Sequence, residues 1–119
     1  MTINSLAILG AGGHGKVIAD AALLAGCRDL VFFDDAWPDK QDNGNWPVVG
    51  DWAALLERHH DYEGVIVAIG ANDIRMAKQT ALREARVSVA TVIHPLAAVS
   101  PFAALGAGSV AFAGAVVNP

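Results

Sequence analysis

The sequence predicts an α/β protein: a small parallel sheet built in the order β-α-β-α-β-α-β, followed by a parallel coil of six-residue blocks. Three observations carry this prediction. Short uninterrupted apolar runs alternate with segments whose apolar residues recur at helical spacing. A glycine-rich turn, GAGGHGK at residues 10–16, joins the first run to the first helical segment, and beyond Pro95 the period changes to six.

Residues 5–10 (SLAILG) form an apolar run closed by glycine, as a strand buried on both faces of a parallel sheet reads. Over residues 16–25, Val17, Ile18, Ala21 and Leu24 share a helical stripe, and Gly26 stands where a left-handed cap ends a helix. Residues 30–35 (LVFFDD) repeat the strand signal and end in two carboxylates. Pro38, Asn43, Gly44 and Pro47 then break up a polar loop, with a short extended piece over residues 47–50. Asp51 is placed to cap a helix over WAALLERHH, in which Ala53, Leu56 and His60 share a face beside Leu55. Residues 64–70 (GVIVAIG) make the clearest buried strand. Asn72 or Asp73 then caps a helix with Ile74, Ala77, Ala81 and Ala85 on one stripe, and residues 87–93 (VSVATVI) supply a fourth strand. Strands separated by helices in this way need crossover connections, which are right-handed in nearly all parallel sheets.

From Val99 the chain divides into sixes: VSPFAA, LGAGSV, AFAGAV and a last VNP. Val99, Leu105, Ala111 and Val117 lead the blocks, and Ala103, Ser109 and Ala115 stand four places later. In a left-handed parallel β-helix each block forms one flat side, its leading aliphatic pointing inward and a small residue near the corner. The expected division is a small Rossmann-like parallel sheet over residues 1–95 and the beginning of a left-handed parallel β-helix over residues 96–119. Such coils bury their faces only against neighbours. The blocks stop after little more than one triangular coil, so the sequence reads as the front part of a longer protein.

At 119 residues, with 54% hydrophobic and 17% charged, the chain has the length and composition of one globular unit. Its net charge of −4, with Lys and Arg scattered, builds no electrostatic footprint for nucleic acid. The single cysteine, Cys27, excludes an internal disulfide and fits a reducing, cytoplasmic setting. The N-terminal stretch MTINSLAILGAGG has no basic leader with a long apolar core. No window holds the roughly 20 consecutive apolar residues of a membrane span, so no membrane partner is expected.

Gly10, Gly12 and Gly15 match G-x-G-x-x-G between a strand and a helix. The first glycine allows a tight turn, the second close approach of a diphosphate to the backbone, and the third close helix packing. Free N–H groups and the positive end of the helix then face the ligand. Asp34 and Asp35 lie 19 and 20 residues beyond Gly15, where a dinucleotide site places the carboxylate for a ribose hydroxyl, although four strands do not supply both halves of such a site. His14 either donates to a phosphate or sugar oxygen or faces water, and Lys16 reads as solvated. GAND, from Gly70, follows the third strand and reaches the same edge of the sheet. No serine stands in a nucleophile-elbow context, Cys27 sits at a helix end, His59 and His60 make a poor metal pair, and His94 suits a backbone-bonding role at the turn into the blocks. No metal site is expected.

ILGAGGHGKVIADAA, VFFDD, VAIGAND, VIHPLAAVSP and the six-residue blocks together resemble the N-terminal part of the NeuD and PglD type of sugar O-/N-acyltransferases. That family comprises hexapeptide-repeat enzymes, including sialic acid O-acetyltransferases and UDP-amino-sugar N-acetyltransferases of bacterial glycan biosynthesis. The resemblance implies a Rossmann-like domain that holds a UDP-linked amino sugar or a sialic acid type substrate. It also implies a β-helix that forms homotrimers and binds acetyl-CoA as co-substrate. Gly12, Gly13 and His14 would contact the diphosphate or sugar, Asp34 and Asp35 the nucleoside end, and Gly70 would approach by its backbone. The family's general-base histidine would lie in a later block, beyond Pro119, so no catalytic residue is assigned here and the chain alone is expected to be inactive. The alternative is a stand-alone nucleotide- or NAD-binding regulatory module without catalysis. A purely structural protein that assembles through its blocks is a third reading.

Overall fold

Parallel pairing of the apolar runs organises the molecule. The computed structural model describes residues 3–119; the N-terminal stretch considered above includes Met1 and Thr2, which lie outside the described residues. Strand β1 (Ser5–Leu9) lies inside a five-stranded sheet, between β2 (Asp29–Phe33), its central strand, and the edge strand β5 (Gly64–Val67), both parallel to it. β4 (Trp46–Gly50) extends the sheet beside β2 in parallel, and β3 (Asp42–Asn43) closes that edge as an antiparallel hairpin partner of β4. The polar loop of the sequence thus contains a hairpin, and residues 47–50 belong to a full strand.

Both faces of the sheet are covered, which is why its strands read as continuous apolar runs. Leu6, Ile8, Phe32, Val48 and Ile66 point to one face, beneath Ile18, Ala19 and Ala22 of α1 (Gly13–Leu24). Ala7, Leu9, Val31, Phe33, Val65 and Val67 point to the other, beneath Leu55 of α2 (Trp52–Arg58) and Leu82 of α3 (Asn72–Glu84).

The helices exist where the sequence places them, but their inward faces are shifted from the expected stripes. In α1 the buried stripe is Gly15, Ile18, Ala19, Ala21 and Ala22, so Ile18 and Ala21 face inward as expected, while Val17 and Leu24 are 53% and 57% exposed. The cause is Gly15: a Cβ there would lie 2.4 Å from the Gly10 carbonyl oxygen and 2.7 Å from Phe32, so the side with no side chain makes the closest approach. Gly26 ends α1 at a φ of 106°, its N–H donating to Leu23 and that of Cys27 to Ala22, a Schellman pair. In α2, capped by Asp51 as expected, Leu55 is buried and Ala53 exposed, and His60 falls on a following 3₁₀ turn (His59–Asp61). α3 is capped at Ala71 without a side chain, so neither Asn72 nor Asp73 caps it. Its packed side is Lys78, Gln79 and Leu82, while Ile74, Ala77 and Ala85 are exposed.

The expected fourth strand over residues 87–93 shrinks to one parallel bridge, Val65 to Val89. Ala90 donates to the Val65 carbonyl at 2.8 Å, but its own carbonyl accepts from Gly108, and Val92 donates to Ser109. The chain is handed from the sheet to a second ladder. There β6 (Val92–Ile93) pairs in parallel with β8 (Val110–Ala111), and β7 (Ala98–Val99) with β9 (Val116–Val117). Val92 faces Val110 and Ala98 faces Val116, eighteen residues apart in each pair, or three blocks of six. This second part is continuous with the first, because Val92 is buried in the α1-side core and Val110 and Phe112 pack against it.

Candidate functional site

The C-terminal ends of β1, β2 and β5 meet at one edge, where open parallel sheets bind ligands. β1 runs into Gly10, whose N–H donates to the Phe33 carbonyl at 2.8 Å. Its φ of 112° suits glycine, and a Cβ there would stand 2.7 Å from the Ala68 oxygen. The fold therefore requires Gly10 and Gly15 for its own packing.

Gly12 and Gly13 are different: a Cβ at either would meet nothing within 4 Å. Gly12 caps α1 with no side-chain hydrogen bond, and no acidic residue occupies the first turn. The N–H groups of that turn lack intrahelical partners by geometry, and the helix dipole adds positive potential. An exposed, uncapped helix start lined by two glycines leaves backbone donors open to an anion.

Two polar side chains hold this turn in place. Asp34 accepts from the Ala11 N–H at 2.8 Å through Oδ2 and from the Ala36 N–H at 2.9 Å through Oδ1. The Asn43 side chain, 2% exposed, donates to the Gly12 carbonyl at 3.1 Å. Sequence reasoning missed Asn43. Its one signal was the Asn-Gly pair of a tight hairpin, without the flanking alternation that normally accompanies it.

Asp35 accepts from the Trp52 N–H at 3.0 Å and so ties the end of β2 to the start of α2. His14 is exposed on the first turn of α1, its ring edge-on to Phe112 with centroids 5.8 Å apart. Lys16 lays its stem along the hairpin tip at Gly44. Gly70 is exposed between β5 and α3, with open space where a Cβ would stand. A cleft of about 170 Å³ lies at this edge, floored by Leu9, Gly10 and Ile69 and rimmed by Asp35, Trp52 and Lys78. Lys78 spans it from α3, its Nζ 4.2 Å from the centroid of the Trp52 ring.

The remaining reactive groups stand apart. Burial pushes the Cys27 thiol up, which disfavours a thiolate nucleophile. The His59 and His60 rings lie against each other, centroids 3.8 Å apart, on the 3₁₀ turn that follows α2. His94 Nδ1 accepts from the Leu96 N–H at 3.0 Å, the backbone role read from its position. Among the described residues no cluster of His, Cys, Asp and Glu could hold a metal ion, and no helix is long and apolar enough to cross a membrane.

Comparison with known proteins agrees with this architecture. The profile of the PglD N-terminal domain matches residues 5–82. UDP-N-acetylbacillosamine N-acetyltransferase of Bacillus subtilis is 31% identical over 114 residues, covering 93% of this chain and 52% of that protein. The acetyltransferase domain of PglB from Neisseria gonorrhoeae, solved with acetyl coenzyme A, superposes with a TM-score of 0.86 at 37% identity, over 95% of this chain and 55% of that one. A variant of perosamine N-acetyltransferase from Caulobacter crescentus, solved with CoA and GDP-perosamine, gives 0.84 at 31% identity, over 99% and 57%. The chain thus spans about half the length of the relatives it matches. With that profile covering most of its length, the chain belongs to the PglD N-terminal domain family.

Proposed function

We propose that the chain is the nucleotide-sugar-binding portion of an acetyl-CoA-dependent sugar acetyltransferase of bacterial glycan biosynthesis. The observation that carries this reading is the uncapped start of α1. Gly12 and Gly13 answer to no packing demand of the protein, yet the turn that carries them is held at the sheet edge, by Asp34 through the Ala11 N–H and by Asn43 through the Gly12 carbonyl. A diphosphate seated there takes the free N–H groups of the first turn. His14 then stands on the sugar side, near Phe112, while Asp34 and Asp35 stand at the nucleoside end and Gly70 closes in by its backbone. The substrate is a UDP-linked amino sugar or a sialic acid type acceptor.

In the reaction, the sugar nitrogen or oxygen attacks the thioester carbonyl, a base takes its proton, and the coenzyme thiol leaves. On this reading the base comes from a later six-residue block, beyond Pro119. His14 is a binding residue, its ring engaged with Phe112. The eighteen-residue pairings of β6 with β8 and β7 with β9 support the start of a left-handed β-helix, with residues 1–95 as a Rossmann-like domain before it. Further coils would bind acetyl-CoA and assemble a homotrimer, and the single buried thiol suits the cytoplasm.

Calorimetric titration tests the reading. The chain is expected to bind a UDP-linked amino sugar, to ignore NAD, and to show no acetyl transfer on its own. Binding of NAD with no response to the UDP-sugar overturns it in favour of a nucleotide-sensing module.

A further inference from the structure

The second ladder reaches back to the glycine turn through one side chain. Phe112, in the third six-residue block, lies with its ring centroid 5.8 Å from that of His14 at an interplanar angle of 67°, within the range that aromatic pairs prefer. Its backbone is fixed on both sides. The Phe112 carbonyl accepts from the Ala115 N–H at 3.0 Å, and the preceding Ala111 carbonyl accepts from the His94 N–H at 2.8 Å, beside the pairing of β6 with β8. The side chain is half-buried and packs against the α1-side core. His14 has no such support of its own. It is exposed, glycines stand on either side of it, and the hydrogen bonds that hold the turn, from Ala11 to Asp34 and from Asn43 to Gly12, end short of the imidazole. An exposed side chain in that position exchanges rotamers within nanoseconds unless something packs against it.

We propose that Phe112 is a positioning residue for His14, its ring holding the imidazole in one orientation beside the glycine turn before a ligand arrives. This rests on the nucleotide-sugar reading given above, in which His14 serves the sugar. Phe112 acts through His14. The effect is one of pre-organisation: a side chain already held where the ligand needs it loses less freedom when the ligand binds. Two parts of the fold then divide the work. The backbone donors for the diphosphate belong to the first turn of α1 and depend on Asp34 and Asn43, whereas the orientation of the histidine is set by a six-residue block. A change at Phe112 therefore weakens the hold on the sugar and leaves the hold on the diphosphate.

The test reads His14 directly and then its effect on binding. In carbon–proton correlation spectra of the 119-residue chain, the His14 ring signal, assigned by its loss in His14→Ala, is expected to shift in Phe112→Leu and to stay near its place in Phe112→Tyr, while those of His59 and His60 hold still. Calorimetric titration of Phe112→Leu should show affinity for a UDP-linked amino sugar lowered by about threefold to tenfold, with affinity for UDP unchanged. Phe112→Tyr should keep both affinities, and Phe112→Leu should cost nothing further in the His14→Ala background. Melting curves matching the unsubstituted chain control for packing, and Phe112→Met replaces the leucine variant if that one melts early. A His14 signal unmoved by loss of the ring, equal weakening of UDP and the UDP-sugar, or additive losses in the double variant overturns the positioning role and leaves the nucleotide-sugar reading standing. No binding of the UDP-sugar by the unsubstituted chain overturns that reading, and the positioning role with it.

Discussion

Asp34 holds Ala11: Oδ2 at the end of β2 accepts the Ala11 N–H at 2.8 Å, and Oδ1 of the same group accepts the Ala36 N–H at 2.9 Å. One carboxylate thereby fixes both the glycine turn and its own loop. Hydrogen bonds to a charged group contribute about 1.5–3 kcal/mol, and partial exposure places this pair toward the low end. Asp34→Ala is expected to lower stability by about 2 kcal/mol in urea unfolding, with Asp34→Asn intermediate because it keeps one acceptor. Nucleotide-sugar affinity should fall by about tenfold in the alanine variant, since the backbone donors it presents lose their anchor.

Asn43 predicts a parallel outcome from the other side of the turn. Its amide is buried and donates to the Gly12 carbonyl at 3.1 Å. Asn43→Ala leaves that carbonyl without its partner, at a cost of about 1–3 kcal/mol. Asn43→Asp should be worse, because it sets a buried carboxylate against a carbonyl oxygen. Thermal melts of the two variants check the order, and equal melting temperatures would refute the assigned hydrogen bond.

How much of this was legible in the sequence depended on side-chain size. β1 and β5 were readable because both faces are buried and every residue but Ser5, at the start of β1, is apolar. The Asp51 cap was readable because the rule is local. The inward faces of the helices were legible only in part: in α1, Ile18 and Ala21 were placed inward, but Gly15, Ala19 and Ala22, which carry little hydrophobic signal, complete the contact while the larger Val17 and Leu24 stay outside. The truncated fourth strand was hidden too: what stops it is the Gly108 N–H, far along the chain, taking the Ala90 carbonyl. At the candidate site, spacing and the strand order placed the glycine turn and the two aspartates at one edge of the sheet, where the structure brings them together. Trp52 and Lys78 were not so placed, since no local pattern announces a contact between two separate helices.

Cys27 gives the chain a pH dependence. Burial is the foremost cause of its raised thiol pKa, with the Asp29 and Glu63 carboxylates adding to it. The folded state therefore prefers the neutral thiol. The unfolded thiol ionises near its ordinary 9.0, so the contribution is complete below that pH and is lost as pH rises through the folded value. Tyr62, also pushed up chiefly by burial, acts with the same sign above its ordinary 10.0. Urea midpoints should fall as the pH is raised past 9.0, and Cys27→Ala should delay that fall to the tyrosine range. A slope unchanged in Cys27→Ala would assign the effect elsewhere.

Gly13 and Gly15 separate folding from binding within one motif. A Cβ on Gly15 would lie 2.4 Å from the Gly10 carbonyl oxygen and 2.7 Å from Phe32, so Gly15→Ala must push α1 off the sheet. Overpacking of this kind costs about 1–3 kcal/mol, or more where backbone has to move. A Cβ on Gly13 meets nothing within 4 Å, and Gly13 already lies in the helix. There alanine is the better helix former, worth roughly 0.5–1 kcal/mol in a helix interior and less at its first turn. Gly13→Ala should therefore melt at or slightly above the temperature of the unsubstituted chain. If the diphosphate approaches that backbone, the added methyl group should still weaken nucleotide-sugar binding by about tenfold. Gly15→Ala should lose stability first, and binding only as a consequence. A Gly13→Ala variant that keeps both stability and affinity would move the diphosphate away from the start of α1, because no other function of that glycine is left for the fold to explain.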